Sequence, residues 1–163
     1  MGNLLSSGSG KGNSQISKAW LLGIIDAVTS FVIAALFWLA FEGDTWDYVL
    51  IVVILVNGIL AIIASFVLSA RIKGTYLNIF EDRVSGVFVN RDISLVLIIF
   101  FYLGWDKAKH INVDFSFDDI IAVSAQKDSI NLHSMGINYK CFVSNGLEIT
   151  NIINDKIAKR RAS

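Results

Sequence analysis

AWLLGIIDAVTSFVIAALFWLAF, Ala19 to Phe41, and YVLIVVILVNGILAIIASFVLSA, Tyr48 to Ala70, are the two stretches that decide the fold. The first holds one charge, Asp26, and the second holds none. At 1.5 Å rise per residue each helix would reach ~35 Å, enough to cross a ~30 Å hydrocarbon core with some tilt. Glu42-Gly43-Asp44-Thr45-Trp46-Asp47 separates them and leaves room only for a tight turn. The expected structure over 19–70 is therefore a two-helix transmembrane hairpin with spans 19–41 and 48–70. Apolar runs of this length favour a membrane over the core of a soluble bundle. The first run also exceeds the apolar region of a cleaved signal peptide, and a second span follows it.

The flanks set the expected orientation. Lys11 and Lys18 precede the first span, Arg71 and Lys73 follow the second, and the turn carries three acids and no base. Positive flanks stay inside, which puts the N- and C-termini in the cytoplasm of an integral cell-membrane protein. Trp20, Trp38 and Trp46 lie near the span ends, where amphipathic rings settle at headgroups.

Composition agrees. Of 163 residues, 54% are hydrophobic and 17% charged, against about 45–50% and about 25% in soluble domains. Mean hydropathy is +0.59. A disordered or collagen-like chain is excluded. Lys and Arg (14) balance Asp and Glu (14), so charge gives no ground for a nucleic-acid partner. Cys141 is the single cysteine, which excludes a disulfide framework and a multi-cysteine metal site.

Residues 1–18, MGNLLSSGSGKGNSQISK, are rich in Gly, Ser and Asn and read as a flexible tail. Met1-Gly2-Asn3-Leu4-Leu5-Ser6 fits the short myristoylation pattern. Gly8-Ser9-Gly10-Lys11 lacks the upstream glycine and the strand–helix context of a phosphate loop.

From Gly74 onward the pattern changes to period two. In Ile111-Asn112-Val113-Asp114-Phe115-Ser116-Phe117 the odd positions are apolar and the even ones polar. Similar alternation runs through 121–126, 130–133 and 137–143. Such segments read as half-buried antiparallel strands, with turns at Asp118-Asp119, Lys127-Asp128 and Ser134-Met135-Gly136. Thr75–Phe80 and Val84–Val89 add two more around Glu81-Asp82-Arg83. Asn145 and Glu148 suggest a capping box opening a helix with the stripe Ile149, Ile152, Ile153, Ile157. The module 74–163 is then a small α+β unit: a bent antiparallel sheet plugged by one C-terminal helix.

TYLNIFEDRVSG at Thr75–Gly86 and SMGINYKCFVSN at Ser134–Asn145, with this strand order, resemble small bacterial pleckstrin-homology-like (PH-like) domains, over roughly 75–157 outside an apolar insert. The resemblance implies a non-enzymatic, membrane-tethered scaffold that binds protein partners or itself. Phosphoinositide-binding members of the wider fold carry several Lys and Arg around the first hairpin. Here Glu81 and Asp82 occupy that turn, which argues against specific phosphoinositide binding.

The insert, 93–105, contains ISLVLIIFFYL at Ile93–Leu103. It is too short for a third span, and it shows neither helical nor strand periodicity. It reads as a core or subunit-interface element, or as a segment dipping into the bilayer. The expected membrane or partner contacts are Ile98, Phe101, Trp105, Lys107 and Lys109. Lys159, Arg160 and Arg161 at the end of the last helix join them, facing an anionic leaflet.

No catalytic, cofactor or metal constellation emerges. His110 and His133 lack ligand spacing, and Cys141 sits on an apolar strand face. The polar residues singled out inside the spans are Asp26, Asn57 and Ser65. Intramembrane carboxylates are costly and often functional. By depth Ser65 would face Asp26, and Asn57 would lie nearer Ser30, as a clasp between helices. The function expected is a membrane-surface interaction scaffold. The alternative is a small oligomeric channel or transport accessory using Asp26.

Overall fold

A computed structural model describes residues 3–9, 13–40, 43–90, 99, 109–126 and 128–162. Two helices form the hairpin, α1 (Asn13–Ala40) and α2 (Thr45–Lys73). Asp44 caps α2: its carboxylate accepts from Thr45 N at 2.7 Å, and Asp47 reciprocates to Asp44 N at 3.2 Å. Two of the three acids of the turn thus start the second helix. Both helices are long and apolar enough to cross a membrane, and only 22% of each apolar window is buried. Leu21, Phe31, Leu39, Val53, Ile59 and Phe66 point outward.

The helices meet along small residues. A methyl at Gly23 would overlap Ser65 Oγ, and one at Gly58 would stand 3.1 Å from Ser30 Cβ. Ala19, Ala34, Ala61 and Ala64 are buried in the same seam. Such residues let two backbones approach closely, where dispersion and short polar bonds hold them.

After α2 come β2 (Tyr76–Phe80), β3 (Arg83–Asn90), β4 (Ile111–Ser116), a 3-10 turn (Phe117–Asp119), β5 (Ile120–Gln126), β6 (Ser129–Ser134), β7 (Ile137–Cys141) and the helix α3 (Gly146–Arg161). β2, β3 and β4 pair antiparallel, as do β5, β6 and β7. Long β3 joins the two sets: its end, Val89–Asn90, pairs with Tyr139–Lys140 of β7. The sheet curls around a core of Leu77, Phe88, Phe117, Leu132, Tyr139 and their neighbours. α3 closes it with Ile149, Ile153 and Ile157. The apolar stripe behaves as the sequence suggests, but the cap does not: Asn145 makes no side-chain capping bond. The Asp118-Asp119 turn is one 3-10 turn, capped by Ser116.

The largest difference lies before the hairpin. Leu4–Ser9, expected within a flexible tail, is a strand, β1, paired antiparallel with β2 from Leu4↔Phe80 to Ser9↔Tyr76. Residues 13–18 are the first turns of α1. The strand supplies backbone hydrogen bonds, which Gly and Ser provide as well as any residue, so its composition hides it. Gly8 is needed for sterics. A methyl there would stand 2.7 Å from Ile149 Cδ1 and 2.9 Å from Val143 Cγ1. The hairpin is therefore an insertion between two paired strands of one sheet.

Candidate functional site

Three places hold the polar chemistry: the hairpin seam, the helix base and the far end of the strands. In the seam, Asn57 Nδ2 on α2 donates to Asp26 Oδ2 at 3.4 Å and to Ser30 Oγ at 3.3 Å on α1. Asp26 and Ser30 are buried between the helices. Ser65 does not face Asp26. Its hydroxyl donates to Ala19 O and Ala61 O, each at 2.9 Å. The reason is antiparallel depth: Ala19 lies level with Ser65 and Ala27 with Gly58, so Asp26 sits nearer Asn57, whose longer side chain reaches both α1 acceptors.

At the base, α2 passes into β2 through Gly74 and Thr75 with no linker. Thr75 Oγ1 donates to Ile72 O at 2.9 Å and accepts from Phe142 N at 3.1 Å. Ile72, Leu68, Val89, Ile99 and Phe142 pack in one cluster that ties hairpin to sheet. His110 Nε2 lies 2.8 Å from Arg71 O, at the carbonyl end of α2. A methyl at Gly74 would come 2.7 Å from the His110 ring. Lys18, Lys73 and Lys109 are exposed around this base. Of the expected contact residues, Lys109 alone is placed here. Ile98, Phe101, Trp105 and Lys107 lie outside the described residues, as does all of 93–105 except Ile99, which is buried.

Lys159, Arg160 and Arg161 sit elsewhere. Arg160 pairs with Asp118 at 2.8 Å and reaches Asp82 O at 3.5 Å, at the tip of the β2–β3 hairpin. That tip lies the length of β2, ~17 Å along the strand, from the helix base. The guanidinium also stacks on Phe117, 5.9 Å from the ring centroid, as Arg83 does on Phe80 at 5.6 Å. Arg83 pairs with Asp114 at 3.7 Å. These arginines are committed to aspartates and aromatic faces of the module itself, which the run of bases in the sequence conceals.

The remaining candidates have structural partners. His133 Nδ1 is 2.8 Å from Asn138 Oδ1 on the neighbouring strand. Cys141 is buried, and burial pushes its thiol up to about 12, with a smaller opposing effect of the Thr75 hydroxyl. It is a poor nucleophile there. Among the described residues no group of His, Cys, Asp and Glu could hold a metal ion. The chain matches no protein-family model, no curated protein and no solved structure.

Proposed function

We propose that the hairpin anchors the chain in a membrane and that the curled sheet with its closing helix is a PH-like scaffold at the cytoplasmic surface, binding protein partners or itself without catalysing a reaction. The observation that carries this reading is the pairing of β1 with β2 across the inserted hairpin. A hairpin that crosses the bilayer twice returns both of its flanks to one side, as that pairing requires. The pairing of β3 with β4 likewise keeps both ends of 91–110 on one side, which fits an insert that is not a third span. Outward apolar surface of this extent on both helices is costly in water and favourable in lipid. Lys18, Arg71 and Lys73 at the base, against Asp44 and Asp47 at the turn, favour a cytoplasmic base. Asp26 bonded across the seam acts as an interhelical clasp. The curled sheet closed by α3 is the architecture that the PH-like resemblance implies.

Topology is tested by single cysteines at Thr45 and Ala162 in a Cys141→Ala background. An impermeant thiol reagent on intact cells should label position 45 alone, and alkaline carbonate should not release the protein. Labelling at 162, or release, would overturn the anchor.

A further inference from the structure

On one side of the hairpin the two helices part along a groove. Two hollows, of about 270 Å³ and about 170 Å³, lie end to end there, and Phe31 of α1 and Leu55 of α2 border both. The inner hollow closes on Ser30 and Gly58, and the outer one opens at Trp38 and Ile51. Ala34 and Ala35 leave the outer hollow open, because neither reaches across it. Ser30 is the middle residue of the apolar run 19–41. Trp38 lies ~12 Å further along the helix, so the groove covers most of one leaflet of a ~30 Å core, the leaflet at the turn.

The mouth of the groove carries polar chemistry. Trp38 and Ile51 also line a third hollow, of about 30 Å³, together with Asp47 and Tyr48. It has room for one water-sized group. The Trp38 and Tyr48 rings meet edge to face with centroids 5.7 Å apart, and aromatic faces attract a cation set beside them. Asp47 uses Oδ2 to accept from Asp44 N at 3.2 Å, which leaves Oδ1 as an acceptor at the hollow. No Lys, Arg or His occurs between Ala19 and Ala70, while Glu42, Asp44 and Asp47 cluster at the turn. The mouth therefore suits a cation and repels an anion. The same charge argues against a second copy in the groove. Two chains in one membrane share an orientation, so a twofold along the membrane normal would set Asp47 of each at the depth of the other's, acid against acid with no base to answer.

We infer that this groove holds a phospholipid of the turn-side leaflet, with one acyl chain between α1 and α2 and a primary ammonium headgroup, that of phosphatidylethanolamine, at Asp47, Trp38 and Tyr48. The inference rests on the reading of the hairpin as a membrane anchor. An acyl chain along the groove supplies the dispersion contacts that its walls lack. A primary ammonium donates N–H bonds to the Asp47 carboxylate, and a charge-assisted bond of that kind is about twice as strong as a neutral one. A quaternary choline has no N–H to donate. The phosphodiester lies toward water, clear of the acids of the turn.

The test titrates the full chain in detergent with phosphatidylethanolamine, phosphatidylcholine and phosphatidylglycerol of identical acyl chains, and counts retained lipid by native mass spectrometry. The first should be retained about tenfold better than the other two. Asp47→Asn keeps an acceptor for Asp44 N, and it should abolish the preference while one lipid stays bound. Ala35→Phe fills the outer hollow from an exposed position and should remove that lipid. Val53→Phe, at an outward position away from the groove, should change neither. Asp47→Lys should turn the preference to phosphatidylglycerol, a gain that a misfolded chain cannot show. Equal retention of the three headgroups by the unsubstituted chain, or a bound lipid indifferent to Ala35→Phe, overturns the proposal. Carbonate extraction reads the anchor separately, so a chain that stays in the membrane yet shows no headgroup preference sinks this inference alone.

Discussion

Gly8→Val tests whether the chain before the hairpin belongs to the sheet. If Leu4–Ser9 were a loose tail, the substitution would change nothing. As a strand it must change the packing, because the new Cβ would stand 2.7 Å from Ile149 Cδ1 and 2.9 Å from Val143 Cγ1. Both neighbours belong to the module core and are fully buried, so neither can swing into solvent. Overpacking of this kind costs about 1–3 kcal/mol. Spread over opening of β1, that is about fivefold to a hundredfold more frequent exposure of its amides. The assay is hydrogen exchange followed by mass spectrometry on the full chain in nanodiscs, comparing peptides over 3–9 and 76–80. The unsubstituted chain should protect both segments. Gly8→Val should lose protection in both by a similar factor, since each strand is the other's partner. Gly8→Ala should fall between, as it adds the Cβ but not the branches. Random-coil exchange over 3–9 in the unsubstituted chain would refute the reasoning, and so would a Gly8→Val chain with unchanged protection. The insertion of the hairpin within the sheet would then fall too.

Asn57→Leu should weaken helix–helix association by about 0.6 to 2 kcal/mol, the usual range for an interhelical polar bond, measured as the shift of the unfolding curve in detergent mixtures. No shift would mean that the clasp does not hold the hairpin. Burial pushes Cys141 up to about 12 from its ordinary 9.0, so the folded chain disfavours the thiolate. The stability this gives is complete below pH 9 and declines as pH rises toward 12. Denaturant midpoints of the full chain should show that decline, and Cys141→Ala should flatten it. Arg160→Ala should cost about 1 kcal/mol or less, as expected for a half-exposed ion pair. A double-mutant cycle with Asp118→Ala should assign the loss to that pair, and independent effects would show that the ring contact with Phe117 matters more.

Helix and strand positions were legible wherever side chains do the work. The apolar runs found both helices, and alternation found six strands with errors of a residue or two, because a curled sheet sorts side chains by face. What escaped was held by backbone or by depth. β1 contributes amides and carbonyls, which leave no trace in composition. Asn57, not Ser65, meets Asp26, because the seam's register depends on how closely Gly23 and Gly58 let the helices approach. The basic run at the end of α3 reads as a patch facing outward, yet Arg160 finds its partner 42 residues away, at Asp118.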